Sequence, residues 1–331
     1  MAPGTLDTMT LSTIRAAAPA DLLALVDLQN ASSPDTPTTL ELQQFRERNR
    51  RPDLAFGRLV AEQEGRLVGV GTFAQLEWSG EAGKLWVSVT VHPDWRRQGT
   101  GRALYDALLT EAQQHRPLKL VGMVREDRTD ALHFASSRGY LEVAREQDVE
   151  LEMSKLNTAQ REPSFARAQA AGYTLMSFAD DLNQTGPDLA WERYYALDCA
   201  ASLDVPVAPG DSVELPPLAR YRQSFEDSPT FDASLWFVAV RGDELAGLTQ
   251  LSASPVLGRF DTGFTAVARG HRGHRLAWAL KYTALEEAAR RGAATVRTSN
   301  DATNMPMRNI NAGLDFVAVP AYLTLSLTLP V

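Results

Sequence analysis

The chain has 331 residues, 44% of them hydrophobic and 22% charged, and a net charge of −8. That length predicts two domains, and the acidic balance argues against a general binder of nucleic acid or of anionic membranes. No apolar run approaches the roughly 20 residues needed to span a bilayer. The N-terminus, MAPGTLDTMTLS, lacks a basic region followed by an apolar one, so residues 1–10 are expected to be a disordered leader and the protein cytoplasmic. Cys199 is the single cysteine, which excludes an internal disulfide and a cysteine-built metal site; it falls in a helical pattern and reads as a small core residue. His92, His115, His133, His271 and His274 show no metal-ligand spacing, so no metal is expected.

TIRAA at residues 13–17 reads as a short strand, followed by a helix from about Pro19 to Gln29. A polar segment leads to a second helix over TLELQQFRERN. GRLVAEQ and RLVGVGTFAQL form a hairpin about Glu64-Gly65, and KLWVSVTV is the next strand. The loop HPDWRRQGTG then opens a helix from about Gly101 to Gln114, with Ala103, Leu104, Ala107, Leu108 and Ala112 on one face. Strand LKLVGMV, helix DALHFASSRGY and strands from Leu141 to Met153 complete the first half. Residues 154–171 are polar and read as a linker, partly helical.

Beyond the linker the pattern restarts with strand GYTLMSF and a helix PDLAWERYYALDCA begun by Pro187. The hairpin LWFVAVRGDELAGLTQL follows, then strand FDTGFTAV, a second arginine-rich loop and a helix. Strand ATVRTS, helix NMPMRNINAGLDF and strand AYLTLSLTL close the half. Gly247 stands 178 positions after Gly69, and Arg272 stands 176 positions after Arg96. The near-constant offset marks an internal duplication, each half reading β-α-α-β-β-β-α-β-α-β. Trp86, Trp95, Trp191 and Trp278 are expected to be packing residues.

Both arginine-rich loops sit at helix starts, where unpaired amides and the helix dipole favour an anion and disfavour arginine unless an anion is present. A Walker P-loop is excluded because Gly101 is followed by Arg102-Ala103 rather than by Lys-Ser/Thr. A dinucleotide fingerprint fails because Leu104 stands where a small residue is needed and because the loop follows a hairpin. A third pattern, Arg/Gln-x-x-Gly-x-Gly/Ala between the fourth strand and the third helix, is matched by Arg96-Arg97-Gln98-Gly99-Thr100-Gly101. It is the pyrophosphate loop of the GCN5-related N-acetyltransferase (GNAT) superfamily, which the chain resembles in both halves. Arg272-Gly273-His274-Arg275-Leu276-Ala277 matches except that Arg275 replaces the first glycine.

The resemblance implies an α/β fold of two tandem GNAT (acyl-CoA N-acyltransferase) domains, residues 11–153 and 172–331, each a mixed, mostly antiparallel sheet flanked by helices. The layout is similar to that of tandem members such as the mycothiol synthases. It further implies an acetyl-CoA-dependent N-acetyltransferase with acetyl-CoA as co-substrate and direct attack by an amine on the thioester. The two loops, with Arg102 beside the first, would hold the pyrophosphate. Val89, Thr90 and Val91, or Thr265, Ala266 and Val267, would pair with the pantetheine arm, and an amide near Val91 or Val267 would polarise the thioester carbonyl. Asn304 is a further cofactor contact by this resemblance.

An ammonium near pKa 10.4 has to lose a proton before it attacks, so a carboxylate base is expected. Glu81 and Asp261 are the candidates and Glu77 an outsider, although Glu81 lies in a turn where a solvated acid is unremarkable. The family's usual acid, a tyrosine late in the fourth helix, is replaced by Ala135 in the first half and Asn311 in the second; Arg128 replaces its asparagine, which the second half keeps as Asn304. These losses leave open an alternative, a non-catalytic acyl-CoA-binding or scaffold protein. A donor other than acetyl is also open. The expected partner is a small or peptide amine, cationic by charge complementarity, with no nucleic acid or membrane and a monomeric state.

Overall fold

The computed structural model describes residues 12–77, 79, 81–205, 213 and 215–330, so the leader expected over residues 1–10 lies outside it. The first of two compact units takes the described residues up to Glu77, then Glu81–Gly122 and the described residues from Ser326; the second takes Ser79 and Met123–Leu325.

The first unit begins with β1 (Thr13–Ala16), α1 (Leu22–Ser32) and α2 (Leu40–Arg48). The hairpin β2 (Phe56–Gln63) and β3 (Arg66–Ala74) turns through Glu64 and Gly65, both at positive φ, as a two-residue turn requires. Then come β4 (Lys84–Val91), α3 (Thr100–Ala112) and β5 (Lys119–Arg125), which starts in this unit. The strand order is β1-β2-β3-β4-β5, antiparallel throughout except for the parallel β4–β5 pair. Leu104 and Leu108 of α3 and Leu28 of α1 are buried with Leu59, Val60 and Ala61 of β2. Near the C-terminus, Leu329 N–H donates to Leu118 O.

The second unit continues with α4 (Thr129–Ser136), β6 (Leu141–Glu152), α5 (Arg161–Ala170), β7 (Thr174–Ser177), α6 (Phe178–Thr185) and α7 (Pro187–Ser202). It goes on through α8 (Leu218–Glu226), β8 (Trp236–Arg241), β9 (Glu244–Ala253), β10 (Arg259–Val267) and α9 (Leu276–Arg290). It ends with β11 (Thr295–Asp301), α10 (Met305–Gly313), β12 (Val317–Ala318) and the start of β13 (Tyr322–Thr328). Its strand order is β6-β11-β10-β9-β8-β7, with β12 also on β6; only β10–β11 is parallel.

One face of this sheet packs Leu151, Phe260 and Val296 against Leu276, Leu280 and Leu285 of α9. The other face packs Trp236 and Val238 against the aromatic group Phe178, Trp191 and Tyr194 of α6 and α7. Trp191 is therefore a packing residue, as is Trp278, whose ring occupies the space a side chain at Gly313 would need.

Three elements differ from the sequence reading. Phe178 starts a helix instead of ending a strand, because Ser177 caps it by accepting Asp180 N–H at 3.1 Å. Helix α8 is the second helix that the repeat pattern calls for before the hairpin, in a stretch that the sequence reading leaves without an element. The strands read from Leu141 to Met153 are one strand of 12 residues, and it pairs with β11 in the second unit. Among the described residues, no helix is long and apolar enough to cross a membrane.

Candidate active site

The two arginine-rich loops have the same backbone. Positive φ recurs at Arg97 (64°) and Gly99 (87°) in the first, and at Gly273 (86°) and Arg275 (60°) in the second. Arg96 Nε donates to Val91 O at 3.0 Å, and Arg272 Nε to Val267 O at 3.1 Å. The first helical amide with an acceptor is Ala103 N–H, bonded to Gly99 O at 3.0 Å; its counterpart is Ala279 N–H, bonded to Arg275 O at 3.1 Å. The amides before each one point out of the helix start and suit an anion. A Cβ built on Gly99 or on Gly273 meets nothing within 4 Å, so there is room for a phosphate group over both.

The side chains around the loops differ. Among the described residues, no carboxylate pairs with Arg96, Arg97 or Arg102. In the second loop Asp204 pairs with both Arg269 and Arg272, and those two guanidinium groups hold its carboxyl far below the usual range. Arg275 keeps the left-handed cap conformation, and its guanidinium donates to Gln160 Oε1. Thr100 is buried, its hydroxyl 3.1 Å from Ser12 Oγ, while Gln98 is exposed. His274 packs its ring against Tyr173, and His271 Nδ1 lies 2.9 Å from the same tyrosine's hydroxyl. Leu276 is in the core, and Ala277 follows it in the first turn of α9.

In each unit the parallel strand pair opens into a gap. β4 and β5 are paired from Lys84↔Lys119 to Trp86↔Val121, and β10 and β11 from Arg259↔Thr295 to Asp261↔Arg297. Asp261 thus holds in the second unit the place that Trp86 holds in the first, the last paired residue before the opening. His92 N–H bonds Val68 O and Ala268 N–H bonds Ala246 O, both toward the antiparallel neighbour. By strand alternation the backbones of Thr90 and Ala266 point the same way, and those of Val89, Val91, Thr265 and Val267 face the gap.

The gaps also differ. β3–β4 keeps an unbroken register, whereas β10 carries a bulge against β9 between Thr262 and Thr265. Gln250 fills the bulge by accepting Phe264 N–H at 3.2 Å, and its amide donates to Tyr194 at 3.1 Å. A bulge re-aims the backbone groups beside it.

The structure brings Asp261 to the apex of the second gap. Burial raises its carboxyl pKa, opposed first by Arg259, whose Nε is 3.3 Å away, and then by Ser254 and Arg297. It does not bring Glu81 to the first gap. Glu81 is hydrogen-bonded to Lys119 and lies 3.9 Å from Lys84 Nζ, beyond the closed end of β4–β5. Val89 is five residues past Lys84, about 16 Å along the strand. Glu77 lies 3.8 Å from Arg51. Asn304 caps α10 by accepting Met307 N–H at 3.3 Å. Asn311, in the tyrosine's place, is buried and donates to Asn300, with its own Oδ1 unpartnered.

Sequence reasoning missed the polar face of β6. Glu146, Asp148 and Glu150 lie opposite Asp301, Ser299 and Arg297 of β11, on the sheet face that carries Asp261. Their signal was the alternation of acids with Val149 and Leu151.

The acetyltransferase (GNAT) family model matches residues 22–140 and 204–310. Among solved structures, a tandem GNAT protein from the clavulanic acid biosynthesis pathway is 22% identical, with 97% of this chain and 99% of that one covered and a TM-score of 0.76. A GCN5-related N-acetyltransferase from Sphaerobacter thermophilus is 20% identical, covering 98% and 97%, with a TM-score of 0.66. A putative acetyltransferase from Pyrococcus horikoshii is 15% identical, covering 97% and 90%, with a TM-score of 0.56. At these identities the likeness is one of fold, and it extends over both halves. No curated protein matches the chain. With the family model matched in each half and a mixed sheet, an anion-ready loop and an opened strand pair in each unit, the chain belongs to the acetyltransferase (GNAT) family.

Proposed function

We propose that the protein transfers an acetyl group from acetyl-CoA to a primary amine on a small molecule, and that the second unit's gap performs the transfer. The observation that carries this reading is the bulge in β10 beside Asp261: one gap has a re-aimed backbone and a carboxylate at its apex, and the other has Trp86 and an unbroken strand. In this reading the amides of Thr265 and Val267 hold an extended arm and donate to the thioester oxygen, and the amides opening α9 hold the pyrophosphate. Acetyl-CoA supplies the acyl group and a thiolate leaving group. The first unit, with its complete loop, holds acetyl-CoA without turnover.

The absence of a tyrosine at Ala135 and Asn311 supports a second reading, acyl-CoA binding without catalysis. Thiol release from acetyl-CoA, followed with a panel of polyamines, amino sugars and neutral amines, separates the two. Turnover that survives Gly99→Asp and is lost in Gly273→Asp supports the second gap; the reverse pattern moves the chemistry to the first. Saturable acetyl-CoA binding with no turnover on any amine favours the second reading.

A further inference from the structure

Resting on the acetyltransferase reading of the second gap, we infer that Asp148, a residue of the first repeat's last strand, receives the acceptor's ammonium group and takes its proton. The placement follows from register. β6 lies in the second unit, antiparallel to β11, with Asp148 opposite Ser299 and Glu150 opposite Arg297. Arg297 is also the last residue of β11 paired with β10, through Asp261. Ser299 is two residues further on, about 7 Å past the apex on the open side. Asp148 therefore lies one strand beyond β11, which walls the gap on the side away from the bulging segment of β10, and on the sheet face opposite α9. The α9 face is filled by Leu151, Val296 and Phe260, so the polar face is the one left for an acceptor to approach.

Burial and the lack of an ion pair together distinguish Asp148 from the other acids of this face. Glu150 has Arg297 at 3.0 Å, and Asp261 has Arg259 at 3.3 Å. Asp148 is 8% exposed, and among the described residues no lysine or arginine lies within ion-pair range of it. A carboxylate removed from water without a cation is costly, which a cationic ligand would offset. Burial raises its pKa. The Ser299 hydroxyl and the more distant Arg297 and Arg125 lower it, and Asp261 raises it further. The remaining charged groups on this face are Glu146, Glu150 and Glu152 of β6, the last paired with Lys155, together with Asp301 of β11 and Arg259 of β10. Glu146 is itself raised by burial, then by Asp148 and Asp301. A carboxylate with a raised pKa is the better base for an ammonium.

The step balances without another reactant. The ammonium gives one proton to Asp148, and the freed nitrogen attacks the thioester carbonyl carbon. The C–N bond forms and the C–S bond breaks; CoA leaves as thiolate. The second nitrogen proton goes to the sulfur, and the proton on Asp148 goes to solvent. The acceptor class is a primary amine that is cationic at neutral pH.

The test uses the full chain, acetyl-CoA and spermidine together with the amine panel. Asp148→Asn is expected to lower kcat/KM about 100-fold or more, to abolish the ascending limb of the pH–rate profile, and to leave acetyl-CoA binding and the near-UV circular dichroism unchanged. Asp148→Glu, which keeps a base, is expected to restore part of the rate and a shifted limb. Wild-type activity with an unaltered limb in Asp148→Asn overturns the assignment while the acetyltransferase reading stands. A wild type that binds acetyl-CoA but turns over no amine defeats that reading and this inference with it.

Discussion

Leu104 Cδ1 lies 2.7 Å from the position a Cβ on Gly69 would take, and Leu280 Cδ1 lies 3.0 Å from the one Gly247 would carry. The helix after each arginine-rich loop thus seats a leucine directly on the backbone of the neighbouring strand. The carbonyls of Thr90 and Ala266, 3.3 and 3.2 Å from the same positions, prevent the added atom from moving aside. Gly69→Ala should destabilise the protein by about 1–3 kcal/mol through overpacking, and Gly247→Ala by less, since its clash is milder. Urea unfolding of the two variants checks the order.

Arg275 holds φ 60° at the cap where Gly99 holds 87°. A left-handed residue with a Cβ costs about 1–2 kcal/mol relative to glycine, and the exposed bond to Gln160 offsets little of that. Arg275→Gly is therefore expected to raise the melting temperature, and Gly99→Ala to lower it. Thermal unfolding followed by circular dichroism reads both.

Asp204 competes with any anion for Arg269 and Arg272. In a Gly99→Asp background, where only the second loop reports, Asp204→Asn should tighten acetyl-CoA binding. The gain should shrink as salt is raised, because these charges are exposed and screened. Calorimetry at two ionic strengths tests both the direction and the salt dependence.

Lys281 is 2% exposed, its Nζ 5.6 Å from the Phe316 ring centroid, and no carboxylate among the described residues pairs with it. Burial lowers its pKa from 10.5 to about 8. The unfolded chain then binds more protons than the folded one between those values, so stability rises as pH climbs from 8 to 10.5. Below pH 8 the folded protein carries the full burden of burying the charge, about 3 kcal/mol. Lys281→Met should stabilise the protein by that order at pH 7 and flatten the alkaline rise. A series of unfolding curves from pH 7 to 10.5 would reveal a flat wild-type profile if the lysine is not buried as a charge.

Much of the fold was legible in the sequence because its signals are local. KLWVSVTV is β4 residue for residue, and the Arg96–Gly101 loop with its helix start is set by six adjacent residues. The 176-residue offset carries over to the backbone, where Ala103 and Ala279 make the same bond. The repeat pattern called for a helix before the second hairpin, but the position of α8 was not legible, since its polar sequence owes its helical state to packing Tyr221 beneath it.

What the sequence determined by itself is the repeated order of elements, the two anion-ready loops and their one exception at Arg275, because turn chemistry and periodicity act over a few residues. Only the tertiary structure decided which loop arginines are already paired, which gap carries the bulge, and that β6 completes the second unit with Asp148 on its polar face. Alternation shows that a strand has an acidic face. It does not show which strand lies beside it, because pairing partners are chosen by burial over long separations in the chain.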